Sequence, residues 1–142
     1  MLRPKLSADD YSLVIRTDFS AEPSWQRLCT AIQSPQTEDG FRARVECLSD
    51  PTCNGLSPED VCRLVPDTDA YRFVFIVDGR ALVEPDHPVL VVDTKDPSLQ
   101  FRVAPEEAWA VENNLALANI DFDEFQTALD PDGVFRGFER SS

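Results

Sequence analysis

Four aspartates, Asp18, Asp50, Asp78 and Asp93, each stand at or just past the C-terminal end of a predicted strand. In open α/β sheets, ligands bind in the crevice outside those ends. If the first three strands run parallel, Asp18, Asp50 and Asp78 converge there. Three carboxylates supply the oxygen ligands that a hard divalent cation such as Mg²⁺ takes, and the ion could polarise a phosphoryl group or activate water. The competing reading is structural, because aspartate is an ordinary residue for leaving a strand, starting a turn or capping a helix. No phosphate loop accompanies the four. The five glycines are scattered, and none falls in a GxGxxG or GxxxxGK pattern.

The other reactive side chains are sparse. His87 is the single histidine. A Cys–His nucleophilic pair would need it together with Cys47, Cys53 or Cys62. Its setting between Pro85 and Pro88 fits a turn-stabilising role better. The four cysteines contain no C-x-x-C, and one histidine does not complete a typical zinc site. Cys29 and Cys47 fall on apolar faces, so Cys53 is the expected exposed thiol. Asp130-Pro-Asp-Gly133 departs from a calcium loop, with glycine at position four and Ser141 where the last glutamate belongs. Asp121, Asp123 and Glu124 are explained as acids at a helix N-terminus, where they offset the dipole and orphan N–H groups.

These residues must be held by an alternation of strands and helices. Tyr11–Asp18 reads as a strand centred on Leu13, Val14 and Ile15. Trp25, Leu28, Cys29 and Ile32 share one helical face, with Ser20 as a cap, Pro23 in the first turn and Pro35 past the end. Phe41, Ala43, Val45 and Cys47 alternate with Arg42, Arg44 and Glu46, a half-buried strand. Ser57-Pro-Glu-Asp60 starts a short helix carrying Val61, Leu64 and Val65.

The runs 73–77 and 89–92 are wholly apolar and suit strands buried on both faces, with helices on either side. Leu99, Phe101 and Val103 form a further alternating strand, paired as a hairpin with the one before it. Pro105-Glu106-Glu107 opens a helix with Ala108, Val111, Leu115 and Ala118 inward. Asp121 and Glu124 then cap a last helix, stapled by Ile120 and Phe125. The expected architecture is a single α/β domain over residues 1–142, with its core at about residues 10–138. It is a mixed sheet of about five strands in the order β-α-β-α-β-β-β-α-α, flanked by helices.

Charge separates the function classes. The chain carries 13 basic and 26 acidic residues, a net charge of −13. Residues 1–50 hold 6 and 8 of these, and the remainder hold 7 and 18. Between Arg102 and Arg136 there is no lysine or arginine, but there are eight carboxylates. Such a surface repels nucleic acid and anionic membrane and favours basic proteins or cations. No run reaches the roughly 20 apolar residues of a membrane span, and a cytoplasmic protein with reduced cysteines is expected.

The segment Phe101-Arg-Val-Ala-Pro-Glu-Glu-Ala-Trp109, continuing from Val111 through Asn119-Ile-Asp-Phe-Asp-Glu-Phe125, resembles a family of uncharacterised actinobacterial domains known mainly from Streptomyces-type genomes. Asp10–Phe19 and Asp132–Phe138 are similar to it as well. The resemblance implies a small bacterial protein and brings no catalytic residues with it. The leading expectation is a protein-binding module without a cofactor. It would engage a basic partner through an acidic helical face formed by Glu106, Glu107, Trp109, Glu112 and Asp123, as an immunity-type, regulatory or nucleic-acid-mimic protein does. The alternative is a metal-dependent enzyme, such as a phosphoester hydrolase, using Asp18, Asp50 and Asp78.

Overall fold

The structure, a computed structural model, describes residues 12–34, 45–65, 73–111 and 122–135. Its frame is a six-stranded mixed sheet in the order β2-β1-β3-β4-β5-β6. Strand β1 (Ser12–Arg16) runs parallel to both neighbours, β2 (Val45–Leu48) and β3 (Phe73–Val77). Strand β4 (Val89–Asp93) is antiparallel to β3 and to β5 (Gln100–Val103), giving the expected hairpin. The sixth strand, β6 (Val134–Phe135), pairs parallel with β5 and exceeds the five expected. It is only two residues long, too short to show a period. Gly133, at φ 83°, makes the tight turn that delivers it.

Every residue of β1 and β3 is buried. Alternate side chains point to opposite faces, so the sheet separates two cores. Val14, Phe75, Val77, Val91, Phe101 and Val103 face the first core. Over them lie helix α1 (Glu22–Gln33), through Trp25, Leu28 and Ile32, and α3 (Gly79–Val83), through Ala81 and Leu82. Leu13, Ile15, Val74, Ile76, Leu90 and Val92 face the second core, which α2 (Pro58–Leu64) covers with Val61 and Cys62.

Local signals account for most boundaries. The Ser57 hydroxyl accepts from the Asp60 N–H at 3.2 Å, and Pro58 opens α2. Helix α1 differs from expectation, because its N-cap is Ala21 and no side chain caps it. Ser20 instead turns back to Asp18. Helix α3 is hidden in the sequence by its five residues, fewer than two turns.

After β5, Pro105–Glu107 forms a 3₁₀ turn, and residues 108–111 continue as helix with Ala108 and Val111 buried. The last helix, α4 (Phe122–Gln126), anchors through Phe125. The Phe125 ring stacks on Phe101 at 5.3 Å and meets Phe135 edge-on at 5.0 Å. The proposed capping box at Asp121, the staple at Ile120, the inward Leu115 and Ala118, and the Phe41–Arg44 half of the second strand lie outside the described residues. No helix among the described residues is long and apolar enough to cross a membrane.

Phe125 is wholly buried and ties α4 to both β5 and β6. Phe125→Ala is expected to destabilise the fold by about 3–5 kcal/mol, the cost of losing a buried aromatic and leaving a cavity. A urea titration followed by tryptophan fluorescence measures it, and a loss under about 1 kcal/mol would show that the C-terminal elements are not part of the cooperative unit.

Candidate functional site

The order β2-β1-β3 places a topological switch point between β1 and β3. After β1 the chain leaves for α1 and after β3 for α3, both over the first core, while α2 covers the second. A crevice outside the carboxyl ends of such strands is the usual ligand position in open α/β sheets. Here those ends carry Arg16-Thr17-Asp18 and Val77-Asp78-Gly79. The Thr17 N–H donates to the Val77 carbonyl at 2.9 Å, holding the two exits together.

Arg16 organises this edge. Its side chain is 2% exposed. Nε donates to the Asp18 carbonyl at 2.9 Å, and Nη1 donates to Glu22 at 2.7 Å and to Ser49 at 3.2 Å. These bonds join the end of β1, the start of α1 and the exit of β2. The guanidinium also lies over the rings of Phe19 and Trp25, at 4.4 and 5.2 Å from their centroids. Nη2 has no hydrogen-bond partner among the described residues, and the two ring faces provide its electrostatic compensation. Strand periodicity identifies Arg16 only as a strand end; its partners come from three separate segments.

Asp18 and Asp78 are neighbours, as their positions on β1 and β3 require. A Cβ at Gly79 would stand 2.9 Å from Asp18 Oδ2, so Gly79 leaves room for that carboxylate. Asp18 accepts from the Ser20 hydroxyl at 2.5 Å and its N–H at 2.8 Å. Those two bonds hold its pKa below the ordinary value, against some burial and the nearby Asp78 charge. Asp78 accepts from both terminal nitrogens of Arg102, at 3.0 and 2.7 Å, and caps α3 through the Ala81 N–H at 3.2 Å. Burial pushes the Asp78 carboxyl up, but the Arg102 fork and the Ala81 N–H outweigh it, and the net shift is downward.

The other two strand-end aspartates do other work. Asp50 caps a 3₁₀ turn, Pro51–Cys53, accepting from the Thr52 N–H at 3.0 Å and its hydroxyl at 2.9 Å. Both bonds lower its pKa. Asp93 ends β4, which runs antiparallel to β3, so it lies at the opposite edge of the sheet, where it accepts from the N–H groups of Lys95 and Asp96. Among the described residues, no group of three or more His, Cys, Asp or Glu side chains could hold a metal ion. The expected three-carboxylate site therefore reduces to the Asp18–Asp78 pair, one member of which is committed to Arg102.

Cys53, expected to be exposed, is wholly buried in the second core. The 3₁₀ turn rolls its loop back onto the sheet, and the Gly55 N–H fastens it to the Thr17 carbonyl at 2.8 Å. His87 has φ 50° and places Nδ1 2.9 Å from the Ala81 carbonyl, so Nδ1 carries the proton and the ring braces the turn after α3. In the acidic segment, Glu106 is exposed, and Glu107 and Trp109 are half-buried, with Trp109 packed against the first core. Asp123 lies on α4, and Glu112 is outside the described residues.

Asp18, Asp50 and Asp78 all have pKa values depressed by folding. Their contribution is full above the unfolded value of about 3.9 and is lost as pH falls through the lower folded values. Asp78→Asn is expected to lower stability at pH 7 by about 2 kcal/mol, since it removes charge from a bidentate pair with a partly buried arginine. It should also flatten the fall in stability below about pH 4. Urea midpoints from about pH 3 to 7 check both, and an unchanged acid limb would show that Asp78 does not govern it.

Comparison with known proteins adds the family. The search of curated proteins finds no match. A family described as a domain of unknown function (DUF6924) matches residues 11–138, spanning both strands of the switch point, the acidic segment and β6, and the chain belongs to that family.

Proposed function

We propose that this protein is a non-catalytic protein-binding module that takes a basic partner on its acidic C-terminal segment. The observation that carries the reading is the surface around the Pro105–Glu107 turn. There the exposed Glu106 and half-buried Glu107 stand beside Trp109, whose indole rests partly on the core. They lie in the 33 residues between Arg102 and Arg136, which contain no lysine or arginine. An amphipathic aromatic next to carboxylates suits arginine and lysine side chains, which stack on the ring and pair with the acids. Nucleic acid would be repelled. An actinobacterial origin and a cytoplasmic location belong to the same proposal. The first rests on the resemblance over about residues 10–138, and the second would keep the four cysteines reduced.

The test compares the wild-type chain with a variant carrying Glu106→Lys, Glu107→Lys, Glu112→Lys and Asp123→Lys as bait in an actinobacterial lysate. The wild type is expected to capture a basic protein at low salt and to lose most of it at about 0.5 M salt, where exposed charge pairs are screened. The variant is expected to capture none of it. Unchanged capture by a variant that retains its circular dichroism spectrum would remove this surface from consideration.

A further inference from the structure

Two of the four cysteines meet. Cys29 follows the buried Leu28 on α1 and packs, half-buried, against the first core. Cys47 lies on β2 opposite Val14, a residue of that same core, so its side chain points toward α1. The two thiols lie near enough to influence each other across the packing of α1 on β2, although 17 residues lie between them in the chain. Both are partly accessible, whereas Cys53 and Cys62 are buried in the other core.

We propose that Cys29 and Cys47 are a reversible oxidation site, converted by a small-molecule disulfide of the glutathione type into an intramolecular disulfide that staples α1 to β2. A second thiolate beside the first is disfavoured in so close a pair, so the two thiols act in turn. In the proposed sequence Cys29, on α1, makes the first attack. Its thiolate displaces one glutathione thiolate from oxidised glutathione, leaving a mixed disulfide. Cys47 then loses its proton and attacks the Cys29 sulfur, releasing the second glutathione. The protein gives up two protons and two electrons, and one oxidised glutathione becomes two reduced ones. The slow step is the second, so the reaction should accelerate with rising pH.

The test incubates the purified chain with oxidised glutathione and then measures intact mass, free thiols and disulfide-linked peptides. Digestion combines trypsin with an aspartate-directed protease, because cleavage before Asp50 separates Cys47 from Cys53. Free thiols are expected to fall from the four cysteines of the chain to two, with a loss of two hydrogens and a Cys29–Cys47 linked peptide. The oxidised protein should melt roughly 5–10 °C higher, as expected for a disulfide closing a loop of this length. Reducing agent should reverse the changes. Cys29→Ser and Cys47→Ser should each abolish the link, the second leaving a glutathione adduct on Cys29. Four unmodified thiols in the wild type, a persistent wild-type adduct, or a Cys53–Cys62 link would each overturn the proposal.

Discussion

Leu13 and Ile15 face one core while Val14, between them, faces the other, and none of the three can be left in water. The same holds for Phe73–Val77 and for most of Val89–Asp93. Burial of adjacent strands on both faces is the constraint on which the rest of the molecule depends. It requires helices above and below the sheet, with α1 and α3 over the first core and α2 over the second. The switch point and the side chains gathered there follow from that division.

Polar groups at this edge are held by two arginines of different kinds. Arg16 is enclosed, with an ion pair, two further hydrogen bonds and two aromatic faces around its guanidinium. Arg102 reaches from β5 to Asp78 and to the Pro88 carbonyl, and stays partly accessible. A buried charge left without partners costs several kcal/mol, so each arginine constrains the segments that surround it. The strand-end aspartates hold their own surroundings in the same way. Asp78 binds Arg102 and the start of α3, Asp50 binds Thr52, and Asp18 binds Ser20. Capping and pairing account for the positions of these three carboxylates.

Much of the fold was legible because its signals are local. Uninterrupted β-branched runs marked the doubly buried strands, Ser57-Pro58 marked the start of α2, and the spacing of Trp25, Leu28 and Ile32 marked the inner face of α1. Less was legible where a feature is short or depends on a distant partner. Helix α3 and strand β6 contain five and two residues, and their positions follow from packing against neighbours already in place. Cys53 read as exposed because a loop rich in proline, asparagine and glycine signals a turn but not the direction in which the turn folds.

The sequence by itself determined that the chain builds a mixed α/β sheet with helices on two sides, and that its C-terminal third is strongly acidic. Both are properties of short windows, set by side-chain period and composition. Only the tertiary structure decided which residues are neighbours. Strand order brings Asp18 beside Asp78 and sends Asp93 to the opposite edge, while the packing of α1 on β2 brings Cys29 to Cys47. Such pairings depend on which strands lie side by side and which face each connection crosses, and these are outcomes of burying all the apolar faces at once.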